Sequence, residues 1–504
     1  MRTLFTTLFA LSIAVAQVPN PDSGTADPPS RAARLSYIAG TVSFQPGGVD
    51  DWVPAEPNRP MTAGDRLWTE EGARAEMSLG SAAFRLNSRT NFTFVNLDDK
   101  TAQIQLSLGT LNVRLRRLAE DESVEIDTPQ AAFTLLRPGD YRVDVNEAGD
   151  ATIVTVRGGD AEGTANGQAI PVHAREQARI TAADGSAPVI DQRPAPPADS
   201  FDNFCQDRDR RDDLSPSGKY VSRDMPGYSD LDANGTWRTD PQYGAVWIPS
   251  TVPVGWSPYH YGHWVWIAPW GWTWIDDAPW GYAPFHYGRW AMIGPGWGWI
   301  PGPVIAVRPV YSPAMVAFVG GPGFGVGVSV GWFPLGPREV WVPSYHVSAV
   351  YMTRVNVTNT VVTEVAIRNA GAGAVYVNRG AVIAVRGDAF TGGRHIDAAV
   401  AVRVPPGAME HAEILHGAPP APERAAMLGG RAPVAGPHLP PAAVVNRPMA
   451  TRSAAAPAVV NRPPSAPAAR SEAVAPRTNP PAENREQRKT TKAARKTTKS
   501  EKDK

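Results

Sequence analysis

Cysteine is almost missing. Cys205 is the single thiol in 504 residues, which excludes an internal disulfide and leaves stability to burial and backbone pairing. Cys205 is read as a half-buried filler. Net charge is missing too: 49 Lys and Arg balance 49 Asp and Glu, so no nucleic-acid partner is expected. After the N-terminus no apolar run approaches the roughly 18 residues of a spanning helix, and a membrane-spanning chain is excluded. At the N-terminus Arg2 precedes an apolar run over residues 4–15 and the small-x-small phrase Ala14-Val15-Ala16. That pattern reads as an export signal cleaved after Ala16, giving a periplasmic or extracellular protein. Helical periodicity is scarce, whereas Pro (50) and Gly (46) are abundant enough to break the chain into short strands and turns.

What is present is tryptophan, concentrated in residues 235–303. Three blocks begin at Gly235, Gly262 and Gly288 and close on Trp247-Ile248, Trp274-Ile275 and Trp299-Ile300. A spacing of about 26 residues marks a repeated supersecondary unit. Trp264 and Trp266 fall on one face of an extended segment, as do Trp272 and Trp274, because strand side chains have period two. Pro/Gly turns at 268–271 and 294–296 separate the halves, so each block is expected to be a β-hairpin carrying cross-strand aromatic pairs. Many of these rings are expected in the core. The exposed members of Trp256, Tyr259, Tyr261, Trp270, Trp280, Tyr282, Phe285 and Tyr287, in and between the blocks, are the candidate contacts for a protein or polysaccharide partner.

Residues 34–182 show short β runs separated by turns such as Pro46-Gly47-Gly48 and Arg137-Pro138-Gly139-Asp140, the pattern of an all-β sandwich or roll. Several phrases there carry a resemblance. Leu35-x-x-Ile38-x-Gly40-x-Val42, Gly64-Asp65-x-Leu67-x-Thr69, Gly109-Thr110-Leu111, Thr128-Pro129-x-Ala131 and Pro138-Gly139-Asp140-Tyr141-Arg142-Val143 resemble a FecR-type domain. In the iron-transport regulators that name that family, the periplasmic part meets a transporter's signalling domain. The resemblance therefore implies a contact or sensing role, including a sensory partner of an outer-membrane transporter, and implies no catalytic residues. Neither a spanning helix nor a cytoplasmic segment is read in this sequence, so only the β module is carried over.

Residues 17–33 are expected to be a flexible leader, and 183–227 a linker with a short charged helix at 201–213. Residues 228–400 are the aromatic β domain. Gly227-Tyr228-x-x-Leu231, Gly235-Thr236-Trp237, Tyr243-Gly244-x-Val246-Trp247-x-Pro249 and Gly331-Trp332-Phe333-Pro334-Leu335-Gly336 resemble an uncharacterised bacterial family, the domain of unknown function numbered 6600. Residues 331–343 look like a degenerate fourth block, with strands expected at 345–347, 351–363, 375–378 and 381–385. From 401 to 504 the chain turns Ala/Pro-rich, repeats Ala-Val-Val-Asn-Arg-Pro at 443–448 and 458–463, and ends basic. Such composition buries too little area to offset ordering entropy, so a disordered arm is expected, with a basic end suited to anionic surfaces.

No catalytic set, cofactor site or metal site is expected. The glycine-rich stretch 320–330 lacks the Gly-Lys-Ser/Thr ending of a phosphate loop, and no nucleophile elbow is expected. His260, His263 and His286 near Asp276 and Asp277 invite a metal reading. However, i and i+3 point to opposite sides of a strand. Asp276-Asp277 also invites a glycan hydrolase with paired carboxylates, but adjacent aspartates before Pro279 are more simply turn formers. The sequence thus reads as a non-enzymatic envelope protein that binds a protein or a polysaccharide.

Overall fold

Alternating apolar residues between 33 and 181 build two β-sheets packed face to face. The computed structural model describes residues 26–181, 187–304, 308–320, 330–363, 366–367, 375–404, 407–415 and 419–450. The expected signal segment, its cleavage point and the basic end lie outside the described residues. Strand Thr101–Leu115 belongs to both sheets. Its first half pairs with Thr90–Leu97 and, in parallel, with Ser123–Asp127; its second half pairs with Ala82–Leu86 and Gly139–Val145. The bend between the halves is at Gly109, with φ +95°, where a Cβ would fall 2.5 Å from Thr90 Cα. Only glycine accommodates both the dihedral and the approach. Between the sheets Phe94 meets both Phe84 and Phe92 edge to face, with the Phe92 and Phe94 centroids 4.7 Å apart.

The tryptophan blocks form the three expected hairpins: Gly235–Asp240 with Gly244–Pro249, Gly262–Ile267 with Gly271–Asp276, and Arg289–Ile293 with Gly296–Ile300. Trp264 lies opposite Trp274 and Trp266 opposite Trp272, with centroids 5.4 and 5.6 Å apart. Because Trp247 also pairs with Trp299, the first and third hairpins join into one four-stranded sheet crossed by the row Trp237, Trp247, Trp299 and Trp290. Edge-to-face pairs of this kind contribute about 0.5–1.5 kcal/mol each beyond area burial.

Several elements differ from the sequence reading. Residues 351–363 are not a strand: helix Ala349–Val357 forms instead, capped by the Ser348 hydroxyl, which accepts from Tyr351 N. Tyr351 and Val355, four residues apart, lie on its buried side, and that spacing outweighs the β-branched composition. Strand Val330–Pro334 pairs with Val316–Gly320 and Ile383–Val385, so residues 340–343 do not close a fourth hairpin. Residues 345–347 and 375–378 are irregular. The linker contains strand Val189–Pro194, which extends the first sheet along Glu176–Thr181.

The charged helix is present as Ser200–Asp213, started by an Asp199 capping box. It is docked, with only one side facing solvent. Phe204 packs on Tyr37, Cys205 is fully buried, and Arg208 and Arg85 both bind the buried Glu76 carboxylate. Asp209 completes the cluster through Arg85.

The largest departure is the Pro/Ala-rich arm. Residues 419–450, expected to be disordered, run back across both β modules as a strap. Trp272 Nε1 donates to Pro420 O, Arg424 binds Asp51, and Leu428 enters the core of the first module. Farther along, Val434 N donates to Trp52 O, His438 Nδ1 lies 2.6 Å from Glu70, and Ala450 N donates to Thr128 O. Composition failed here because a strap needs no core of its own: widely spaced anchors suffice when a folded surface is ready to receive them. Residues 451–504 lie outside the described residues.

Candidate functional site

The candidate contact residues are mostly core. Tyr259, Trp270, Trp280, Tyr282, Phe285 and Tyr287 are buried, and Trp256 and Tyr261 are half-buried. The expected exposed platform is therefore not presented at these positions. The reason is tertiary: strands 316–320, 330–334 and 383–385 and the segment Phe390–Ile396 cover the rings. Tyr259, at φ +64°, is an example of how tightly they are held. Its hydroxyl donates to Phe285 O at 2.8 Å and accepts from Met315 N at 3.0 Å, and its own carbonyl accepts from Trp332 Nε1.

The polar residues singled out in the repeats are architectural. His286 is fully buried, and burial pushes its ring down to about 3. The neutral ring donates from Nδ1 to Ser312 O at 2.8 Å. His260 is half-buried and stacks on Tyr261. His263 reaches instead into the first β module, with Nε2 3.3 Å from Glu56. The three rings do not converge, and no group of three or more His, Cys, Asp or Glu able to hold a metal occurs among the described residues.

Asp276 and Asp277 do not form a paired-carboxylate site. Asp276 is buried, and burial pushes its carboxyl well above the usual range. Its oxygens accept from Trp274 Nε1 and Ala278 N. Asp277 is exposed and paired with His395. The turn they occupy fastens the second module to the first. Asn58 Nδ2 donates to the carbonyls of Asp276 and Ala278, and Arg34 donates to Asn58 Oδ1 and Pro279 O.

The reading that no Gly-x-Ser-x-Gly phrase occurs requires correction. Gly327-Val328-Ser329-Val330-Gly331 does have Gly-x-Ser-x-Gly spacing. Ser329 lies outside the described residues, and strand Val330–Pro334 begins at the next position. A nucleophile elbow needs a helix after the serine, so the phrase lacks its context.

Among the described residues two of the open clefts bear on function. The first, about 370 Å³, is polar and lies where helix Ser200–Asp213 meets the first β module. Its charges are spent on one another: Arg142 binds Asp144, Asp199 and Asp202, and Arg157 binds Asp202 at 2.5 Å. It acts as a clamp on the helix N-terminus. The second, about 330 Å³, lies beside the turn of the first hairpin. Tyr220, Tyr243, Ile300, Pro301 and Pro303 line it, with Val304 and Val361 exposed and Arg338 as its cation. Trp237 stacks on Tyr220 at 4.5 Å and its Nε1 donates to Ser217, which fixes that wall. The volume, the aromatic and proline walls and the single charge suit an apolar extended ligand. Sequence reading missed this groove because its residues come from five separate segments.

No described helix is long and apolar enough to cross a membrane. Comparison with curated proteins gives no match. Two crystal structures of a candidate anti-sigma factor from Parabacteroides distasonis ATCC 8503, at 1.65 and 2.50 Å resolution, are similar at 16% and 17% identity with TM-scores of 0.23. Each comparison covers 26% of this chain and 59% of the other. Two protein families match in the expected order: the FecR protein family over residues 65–162 and the family of unknown function DUF6600 over residues 228–339.

Proposed function

We propose that this chain is a non-catalytic interaction protein of the cell envelope and that the groove at Tyr220, Tyr243, Ile300 and Pro303 receives a protein partner. The supporting observation is the contrast between two sets of aromatics. The tryptophan repeat is sealed by hydrogen bonds and packing, whereas the groove keeps apolar side chains, Val304 and Val361, in solvent. Exposed apolar surface around a preformed groove marks a contact site. A proline-bearing extended segment fits better than a polysaccharide, because Ile300, Pro301, Pro303, Val304, Pro337 and Val361 make much of the wall aliphatic. The interlocked core then serves as a rigid mount.

The test is a pull-down from envelope fractions with the mature chain and with a Val304→Asp/Val361→Asp variant. Both positions are exposed, so folding is expected to survive, and the variant is expected to lose the partner. Equal recovery by both chains refutes the groove as the contact. A sensory role for the first β module is a second reading, favoured by the FecR match over residues 65–162. It predicts that a transporter is recovered equally well by the groove variant.

A further inference from the structure

A second surface already shows what it binds. On the outer face of the first β module, Trp52, Trp68 and Leu108 form a small apolar cluster separate from that module's core, and strap residue Val444 closes it. Three residues later Arg447 lies across Gly149. Its guanidinium donates to Ser107 O at 2.5 Å and Glu147 O at 2.8 Å. Gly149 is at φ +73°, and a Cβ there would fall 2.3 Å from Arg447 Cζ. The surface is thus fitted to a valine and an arginine three residues apart. Between and after them Asn446 and Pro448 are exposed. These residues belong to Ala-Val-Val-Asn-Arg-Pro at 443–448, and the same six residues recur at 458–463.

We propose that the Trp52/Trp68/Gly149 surface is a peptide-recognition site for this hexapeptide, and that residues 458–463 are its second ligand within the chain. The valine enters the indole pocket and the arginine satisfies the Ser107 and Glu147 carbonyls. Val459 and Arg462 reproduce Val444 and Arg447 at the same spacing. The two copies start 15 residues apart (458 − 443), so substituting one for the other requires only a loop of that length. Closing such a loop costs little more than closing a short one. Tethering makes the second copy's binding intramolecular and raises its effective concentration at the site. One site with two ligands in the same chain is a site whose occupant can be exchanged.

The test uses the full chain and a labelled peptide of residues 456–465, with binding read by fluorescence anisotropy. Wild type, its site filled, is expected to bind the peptide weakly or not at all. Val444→Asp/Arg447→Ala removes the first copy, and adding Val459→Asp/Arg462→Ala removes both. The chain lacking both copies is expected to bind the peptide, and the chain lacking only the first to bind it at least about 10-fold more weakly, because its own second copy competes. A peptide carrying Val459→Asp/Arg462→Ala is expected not to bind. Failure of the doubly altered chain to bind, equal binding by the two altered chains, or binding of the altered peptide each overturns the proposal. If the aspartates lower the melting temperature, Val444→Ala and Val459→Ala repeat the comparison in a chain that keeps its fold.

Discussion

Removing one hydroxyl group distinguishes a sealed aromatic core from an accessible aromatic wall. Tyr259 is fully buried, and its OH both donates to Phe285 O and accepts from Met315 N. Tyr259→Phe keeps the ring and its edge-to-face contact with Phe285, 4.9 Å between centroids. What is lost is a partner for one buried carbonyl and one buried amide. Each orphaned group costs about 1–3 kcal/mol, and relief from burying a hydroxyl offsets part of the sum. The expected net loss is about 2 kcal/mol. Urea unfolding followed by tryptophan emission measures it, with the slope checked to be unchanged so that the shift in midpoint reports stability. A ring that points into solvent to stack on a ligand would lose almost nothing, so a change under about 0.5 kcal/mol refutes the sealed-core argument.

Further outcomes rest on buried charges and on the contacts that join the modules. Glu56 is buried, and burial alone would raise its carboxyl, but His263, Arg59 and Arg431 outweigh this and hold it at about 2. Its contribution is therefore complete above the ordinary carboxylate value and is lost as pH falls toward 2. The stability gap between wild type and Glu56→Gln should be fully open above about pH 5–6 and close progressively in acid, and a gap independent of pH contradicts this. Asp65 behaves in the opposite sense: burial lifts it to about 6 despite Arg59 and two backbone donors. The folded state then binds more protons than the unfolded state between about pH 4 and 6, so Asp65→Asn should flatten a loss of stability as pH rises through that window. Leu428→Ala should cost about 2–5 kcal/mol if the strap is part of the core, and should make residues 419–450 more susceptible to limited proteolysis. Asp277→Ala, at an exposed turn, should change stability by less than about 0.5 kcal/mol.

Legibility tracked the range of the interactions involved. The three hairpins were readable because period-two alternation and Pro/Gly turns act over a dozen residues, and the registers Trp264–Trp274 and Trp290–Trp299 are set by them. The docked helix could be read from Phe201, Phe204 and Cys205, but its anchoring could not, since Glu76 and Arg85 lie more than a hundred residues away. Helix Ala349–Val357 was misread because Val and Thr favour strands locally, while Tyr351 and Val355 share a buried face only when wound as a helix. The strap left only a thin trace, with Leu428, Val434, Val444 and the arginines Arg424, Arg431 and Arg447 scattered through Ala and Pro.

By itself the sequence determined a β-rich chain without internal disulfides and tryptophans paired across hairpins, since each of these is set by neighbours along the chain. Tertiary structure alone decided which rings see solvent, where the polar cleft and the groove beside the first hairpin lie, and that a Pro/Ala-rich arm is seated on the first β module. The physical reason is that burial is a property of what covers a residue. For Tyr259, Asp276 and Val444 the covering groups come from sequence positions that no local pattern connects.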